Sequence, residues 1–285
     1  MISDRTLFLI ERAAKDLLAS NYAIALTGAG ISTESGIPDF RGPSGLWTIN
    51  PEAEKAAYRS YSRFLSDPKG WWLARLSQTG GLRNLDKALP NSGHFALAEL
   101  EQMGLLKWVI TQNIDGLHEK AGTCNLIEYH GNAFKLRCIE CGARCAAESF
   151  DLEKLRREDS LPPVCPECGS PLKADTVSFG EPIPSSVASR SYEEASRCDF
   201  MLICGTSAVV YPFADLPRVA WGRSAGTTAA DILSPIAGGN PEHVTIVEVN
   251  AEPTPLTRER ISDYLIEGQA GEILPRLVEA VKLLR

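Results

Sequence analysis

Ala23-Ile24-Ala25-Leu26, followed after Thr27 by Gly28-Ala29-Gly30-Ile31-Ser32, is the stretch on which the fold turns. An apolar run without polar alternation is what a strand covered on both faces requires. Two glycines one residue apart at its carboxyl end allow a tight turn. They predict backbone N–H groups and a helix start turned toward a phosphate. The dinucleotide fingerprint asks for a third glycine where Thr33 stands, so the loop alone also suits an ordinary turn.

Outward from this point the same rhythm repeats. Trp108-Val109-Ile110, Phe200-Met201-Leu202-Ile203-Cys204 and Val244 to Val249 read as further buried strands. Leu7, Ile10, Ala14, Leu17 and Leu18 recur at helical spacing within Asp4 to Ser20, and Ser92 to Gln102, Ser185 to Arg197 and Gly271 to Leu284 are helical too. The alternation predicts an α/β fold: a Rossmann-like parallel sheet with helices on both faces. Two stretches interrupt it. Residues 43–90 read as helices carrying Trp47, Trp71 and Trp72, and residues 132–175 carry paired cysteines. The expected division is therefore a Rossmann-like domain from 1–42, 91–131 and 176–285, beside a smaller module made of the helical insertion 43–90 and a zinc-ribbon insertion 132–175. Ser224 to Gly239, rich in Gly, Ala, Thr and Ser, reads as a loop.

Cys138-x2-Cys141 and Cys165-x2-Cys168 each offer two thiolates from one turn, and together they complete a tetrahedral zinc site. Four thiolates close the coordination shell, so the metal is structural. Cys145 lies near enough to compete as a ligand, while Cys198 and Cys204 read as small core residues.

Composition narrows the class. The 285 residues are 44% hydrophobic and 23% charged, ordinary globular values, and suffice for one large domain plus a small one. A formal net charge of −7 argues against nucleic acid as a partner, since such binding needs clustered Lys and Arg. The start Met1-Ile2-Ser3-Asp4-Arg5 does not read as a signal peptide, and no run approaches the roughly 18 apolar residues of a membrane span. With thiols in metal-type pairs, the expected location is the cytoplasm, a reducing compartment without membrane contact.

Thr111-Gln112-Asn113-Ile114-Asp115 begins where a strand ends, at the edge where open α/β sheets bind ligands. Asn113 and Asp115 equally suit helix caps. His130, between Tyr129 and Gly131, suits either a structural role or a base working near neutral pH.

Taken in order, the Gly28 to Ser32 loop, Gly36 to Gly42, Thr111 to Asp115, His130-Gly131, the cysteine pairs, Phe179-Gly180-Glu181, Gly205-Thr206-Ser207 and Val249-Asn250 closely resemble the sirtuin family of NAD-dependent protein lysine deacylases. The likeness runs from about residue 10 to about residue 280. It implies NAD as co-substrate, one structural Zn2+, and acetylated or otherwise acylated lysine-containing proteins or peptides as partners. It implies phosphates near Gly28, Gly30 and Ser32, with Gly205, Thr206 and Ser207 assisting, and the adenosine ribose at Asn250. The nicotinamide carboxamide falls to Ala29, Ile37, Gln112, Asn113, Ile114 and Asp115, under a loop holding Asp39, Phe40 and Arg41. His130 is implied as general base, with Asn113 as its catalytic companion. Val177 and Phe179 would wall the acyl-lysine tunnel, and the peptide would add as a strand between Gly180-Glu181 and Val209-Val210.

The implied reaction is attack of the acyl oxygen on the anomeric carbon as nicotinamide leaves. Proton removal by His130 then lets the acyl group pass to a ribose hydroxyl, giving free lysine and O-acetyl-ADP-ribose when the acyl group is acetyl. Desuccinylating relatives carry a Tyr and an Arg three apart after a Trp. If Trp72 matches that Trp, Arg75 and Gln78 occupy those places, while Tyr58 and Tyr61 fall too early. Acidic acyl groups are thus disfavoured, and acetyl or longer apolar chains expected. Protein ADP-ribosyl transfer or NAD hydrolysis is the alternative chemistry. A zinc-ribbon binding module fits less well, because Lys135, Arg137, Arg144 and Lys154 to Arg157 are offset by Glu140, Glu148 and Glu167. A hydride-transferring dehydrogenase lacks a substrate-side acid–base set beyond His130.

Overall fold

The computed structural model describes residues 2–40, 42, 45–77, 85–224 and 243–285. Arg41, Gln78 and residues 225–239 of the Gly-rich loop lie outside the described residues. In chain order the strands are β1 (Ala23–Thr27), β2 (Leu106–Thr111), β3 (Leu126–Glu128), β4 (Gly131–Cys138), β5 (Arg144–Ala146), β6 (Leu172–Thr176), β7 (Phe200–Cys204), β8 (Thr245–Asn250) and β9 (Tyr264–Glu267). The helices are α1 (Asp4–Ala19), α2 (Leu46–Ile49), α3 (Pro51–Ser66), α4 (Pro68–Ser77), α5 (Ser92–Gln102) and α6 (Leu117–Lys120). They continue with α7 (Leu152–Arg157), α8 (Ser185–Arg197), α9 (Leu216–Ser224), α10 (Pro255–Arg258) and α11 (Ala270–Leu284).

Six strands form one parallel sheet in the order β3-β2-β1-β7-β8-β9. Side chains alternate across it, so each strand feeds two cores. Ala23, Ala25, Phe200, Leu202, Val247 and Val249 pack with Ala13, Ala14 and Leu17 of α1, Leu97 of α5 and Leu274 and Leu277 of α11. Ile24, Leu26, Met201, Ile203 and Ile246 point the other way, to Ala195 of α8 and Leu216 and Ala220 of α9. This two-sided burial explains the unbroken apolar runs read in the sequence.

The chain leaves β1 for β2 on one side, while β7, β8 and β9 extend the sheet on the other. That reversal opens a crevice beyond the carboxyl ends of β1 and β7. The glycines let the two ends meet there. Gly28 N donates to Cys204 O at 3.1 Å, and Gly30 N to Gly205 O at 2.8 Å. A Cβ on Gly30 would lie 2.8 Å from Gly205 Cα, and Gly205 itself holds φ +60°. Neither position admits a side chain without moving backbone.

The loop opens a 3-10 turn, Ala29–Ser35, instead of the α-helix expected from sequence. Strands β3 and β9 also went unread. At three and four residues they are too short to show a period, and each pairs with only one neighbour of the sheet.

A second sheet, antiparallel and ordered β5-β4-β6, carries the cysteine pairs. Leu136, Leu172 and Ala174 of this sheet share one core with Phe64 of α3 and Trp71 and Trp72 of α4. Trp72 Nε1 donates to Leu172 O at 2.9 Å, which satisfies the one polar atom of a buried indole. No helix among the described residues is long and apolar enough to cross a membrane.

Candidate active site

His130 lies where the two sheets meet, between the end of β3 and the start of β4. Its Nδ1 stands 3.2 Å from Gln112 O. A carbonyl can only accept, so Nδ1 carries the proton of the neutral ring and Nε2 keeps its lone pair. Burial pushes the pKa of His130 down, partly offset by the Gln112 bond. The ring is thus a free base at neutral pH. Val177 N donates to His130 O at 2.8 Å, tying the segment after β6 to this residue. Gly131 holds φ +80° with Asp175 O against it, in a space no side chain fits.

Ser32, read from sequence as a phosphate contact, is buried behind the crevice. Its hydroxyl donates to Asp115 Oδ2 at 2.7 Å and accepts from Asn113 Nδ2 at 3.0 Å. Asn113 Nδ2 also reaches Gly28 O at 3.1 Å. Asp115 Oδ1 accepts from Leu117 N at 2.9 Å, but the N-cap position of α6 is Gly116, which carries no side-chain cap, so Asp115 is not the N-cap the sequence allowed. Ile114 O accepts from Ala133 N, and Gln112 Nε2 donates to Thr206 Oγ1 at 2.8 Å. The glycine loop, the end of β2 and the end of β7 are thereby one hydrogen-bonded unit.

Two histidines that the sequence had not singled out stand behind this unit. His94 Nδ1 accepts from Asn91 N, leaving Nε2 as the protonated nitrogen 3.5 Å from Ser32 Oγ. His118 Nε2 pairs with Thr27 Oγ1 at 2.9 Å, and the two rings are 4.8 Å apart. Burial lowers His94 to about 4, against the opposing pull of Asp115, and lowers His118 to about 3. Both are held neutral. Since their folded values lie below the ordinary 6.5, the unfolded chain takes the protons first. Their contribution is present in full above pH 6.5 and is lost as the pH falls toward 4, on the order of 3 kcal/mol for His94 alone. Urea midpoints should fall steadily between pH 7 and pH 4.5, and His94→Asn should flatten part of that slope. A midpoint that stays constant over this range contradicts the assignment.

The phosphate question can be put to the backbone amides. Those of Gly28 and Gly30 donate within the protein and are not available, contrary to the expectation from sequence. Those of Ala29, Thr206 and Ser207, at the same edge, donate to no other described residue. Three such amides beside the β1–β7 crossing fit an anionic pyrophosphate. Asn250 closes β8 with its Nδ2 on Glu252 O at 2.9 Å. Asp39 accepts from Gly42 N at 3.0 Å, and Phe40 packs on Trp47 at 4.7 Å, so the described part of the 39–42 loop is fastened to α2.

Val177, bonded to His130, leads into Phe179, Gly180 and Glu181. Glu181 is anchored internally. Its carboxylate accepts from Ser178 N at 2.9 Å and faces buried Lys173 at 3.1 Å. Val210 O accepts from Ala214 N, while Val209 beside it is exposed. Beneath this region Asp175 takes Arg137 at 2.5 Å and also Arg144, and Arg144 reaches Glu128 at 2.7 Å. Sequence inspection reads such charges as surface. They instead pin β4, β5 and β6 to the end of β3.

Cys138, Cys141, Cys165 and Cys168 converge, with all four sulfurs within 4.8 Å of one another. The Cys138–Cys168 and Cys141–Cys165 separations are 3.4 and 3.7 Å. A tetrahedron of Zn–S bonds near 2.3 Å needs sulfurs about 3.8 Å apart, so the set fits zinc. Cys145 lies outside it, its sulfur 4.0 Å from Leu136 O.

A doubly wound sheet whose crossing leaves amides unused, a half-buried neutral histidine at its edge and a four-cysteine cluster that fits zinc together define an NAD-type nucleotide enzyme with a structural zinc module. The sequence pattern of the Sir2 family matches residues 28–212, and the chain belongs to that family, the sirtuins. It is 42% identical over 277 residues to the NAD-dependent protein deacylase of Pyrococcus abyssi, covering 97% of this chain and 99% of that protein. It superposes with a TM-score of 0.73 on a Sir2 homologue in complex with ADP-ribose, 38% identical, across 96% of this chain and 97% of the other. A Sir2 complex with a deacetylated peptide and 3'-O-acetyl ADP-ribose gives 0.72 at 32% identity, across 95% and 97%.

Proposed function

We infer that this chain is an NAD-dependent protein lysine deacylase that releases nicotinamide and O-acyl-ADP-ribose, O-acetyl-ADP-ribose from acetyl-lysine. The observation that carries the assignment of roles is His130, whose Nδ1–H is tied to the carbonyl of Gln112, the residue just past the end of β2, so that Nε2 is left as the basic nitrogen. NAD supplies an anomeric carbon that becomes electrophilic as nicotinamide departs. Ala29, Thr206 and Ser207 offer amides to its phosphates, Gly28, Gly30 and Gly205 permit the approach, and Asn250 takes the adenosine ribose. Asn113, Ile114 and Asp115, braced by Ser32 and Gln112, hold the nicotinamide end, and Asp39, Phe40 and Arg41 cover it against water.

Acylated lysine reaches His130 past Val177 and Phe179. Gly180, Glu181 and Val210 flank the place where the peptide adds as a strand, held by backbone pairing that tolerates many sequences. His130 Nε2 accepts the proton that lets the acyl group pass from lysine to sugar. The division into a nucleotide domain (1–42, 91–131, 176–285) and a helical and zinc-ribbon module (43–90, 132–175) is the organisation we assign to this chemistry. Cytoplasmic location follows from the same assignment, because the four zinc thiolates need a reducing compartment.

The test is mass spectrometry of an acetyl-lysine peptide incubated with the protein, with and without NAD. Equal amounts of deacetylated peptide, nicotinamide and O-acetyl-ADP-ribose are expected, only with NAD. Nicotinamide release with the peptide untouched would move the activity to ADP-ribosyl transfer or NAD hydrolysis.

A further inference from the structure

Four aromatic rings link the cofactor loop to the substrate wall. Phe40 packs on Trp47 at 4.7 Å, Trp47 on Phe179 at 5.4 Å, and Tyr58 of α3 stacks on Phe179 at 4.4 Å with the rings 28° from parallel. The cluster sits close to the chemistry. Phe179 is two residues beyond Val177, whose amide bonds His130 O. Phe179 is thus clasped by two rings that both come from the helical insertion.

Tyr58 does not hold that insertion together. Its core consists of Phe64, Trp71 and Trp72 packed on Leu136, Leu172 and Ala174, and Tyr58 lies outside it. The Tyr58 side chain is 54% exposed, although it lies against Phe179, and Phe40 at the far end of the cluster is 41% exposed. A large ring left half in water, held by one stacking contact, serves the fold little. It lies against Phe179, the residue that the deacylase assignment places along the acyl channel.

We propose that Tyr58 is the specificity-determining residue that caps the acyl channel, limiting the enzyme to short acyl groups by closing over Phe179. This rests on the deacylase assignment above and narrows the substrate class within it. On this reading a two-carbon acyl group leaves the Tyr58–Phe179 stack undisturbed. An unbranched chain of about eight carbons extends roughly 7–8 Å further than acetyl at bond lengths near 1.5 Å projected along an extended chain, so it must displace the tyrosine ring and forfeit the stack.

The experiment compares kcat/KM for one peptide carrying acetyl-lysine or octanoyl-lysine, in the unaltered protein and in Tyr58→Ala, Tyr58→Leu and Tyr58→Phe. The octanoyl-to-acetyl ratio should rise at least tenfold in Tyr58→Ala, rise less in Tyr58→Leu, and stay as in the unaltered protein in Tyr58→Phe, which keeps the stack. Thermal unfolding of each variant shows whether the fold is kept, and Tyr58→Leu retains an apolar side chain on α3 should the alanine variant be unstable. A ratio unchanged in Tyr58→Ala, or one that falls because the ring supports long chains, overturns the cap. Absence of NAD-dependent deacetylation in the unaltered protein overturns the assignment itself, and the cap with it.

Discussion

Replacing His130 with alanine should lower kcat/KM for an acetyl-lysine peptide about 10²–10⁴-fold, the usual worth of a positioned general base. The loss should fall on turnover, with little change in NAD affinity, because the role proposed for His130 is proton transfer through Nε2, while its other nitrogen is held by the Gln112 backbone. The variant should fold normally. His130 is only half-buried, and removing it leaves a carbonyl, Gln112 O, that can turn to water. The pH dependence follows from the same geometry. Burial holds the His130 pKa below its ordinary 6.5, so the base remains unprotonated at neutral pH. The acid limb of kcat/KM should therefore lie below pH 6.5, with activity lost as the pH falls through it. Stopped assays across pH 5 to 8 with the unaltered protein, and titration of NAD binding with the alanine variant, check both statements. An alanine variant that keeps more than a tenth of the activity would remove His130 from the chemistry.

Loss of the zinc centre should disorder the smaller module. Zinc bound by four thiolates contributes apparent free energies of roughly 10–16 kcal/mol in small zinc modules, well above what a three-stranded sheet can supply alone. Cys138 and Cys165 are buried in the same cluster as Trp72, Leu136 and Leu172, so metal loss is transmitted directly to the indoles. Cys165→Ser, or a chelator in excess, should shift tryptophan emission to longer wavelength and lower the unfolding temperature, abolishing deacylation. Activity should go with the fold, because β4 and β6 position Gly131 and Val177 on either side of His130. Four thiolates would complete the shell of a bound zinc, so substitution by another tetrahedral thiophile such as Cd2+ should preserve activity. If chelation strips the metal with emission and activity unchanged, the centre is not what holds the module.

Much of this was legible in the chain. The apolar runs at Ala23–Leu26 and Phe200–Cys204 fall within strands buried on both faces, and the helices at Ser92–Gln102 and Ser185–Arg197 fall at the boundaries their periodicity predicts. The paired cysteines announced a metal centre because two C-x-x-C turns have few other uses. Short edge strands such as Tyr264–Glu267 escaped, since four residues carry no measurable period. The Asp175, Arg137, Arg144 and Glu128 cluster escaped for another reason: charge in a sequence gives no hint of burial until a partner is brought beside it.

The sequence by itself determined the doubly wound class, the thiolate set and the family likeness, because each depends on local spacing or on motif order. Tertiary structure alone decided which groups of the glycine loop are available. Gly28 and Gly30, which suggested an anion cradle, donate their amides to the end of β7, whereas those of Ala29, Thr206 and Ser207 donate to no other described residue. It also turned Ser32 away from the crevice to Asp115, left Nε2 of His130 as the basic nitrogen, and laid Tyr58 on Phe179 across a gap of 121 residues in the chain. Hydrogen-bond partners and ring contacts belong to pairs of residues, and spacing along one chain cannot specify a pair until the sheet has brought its members together.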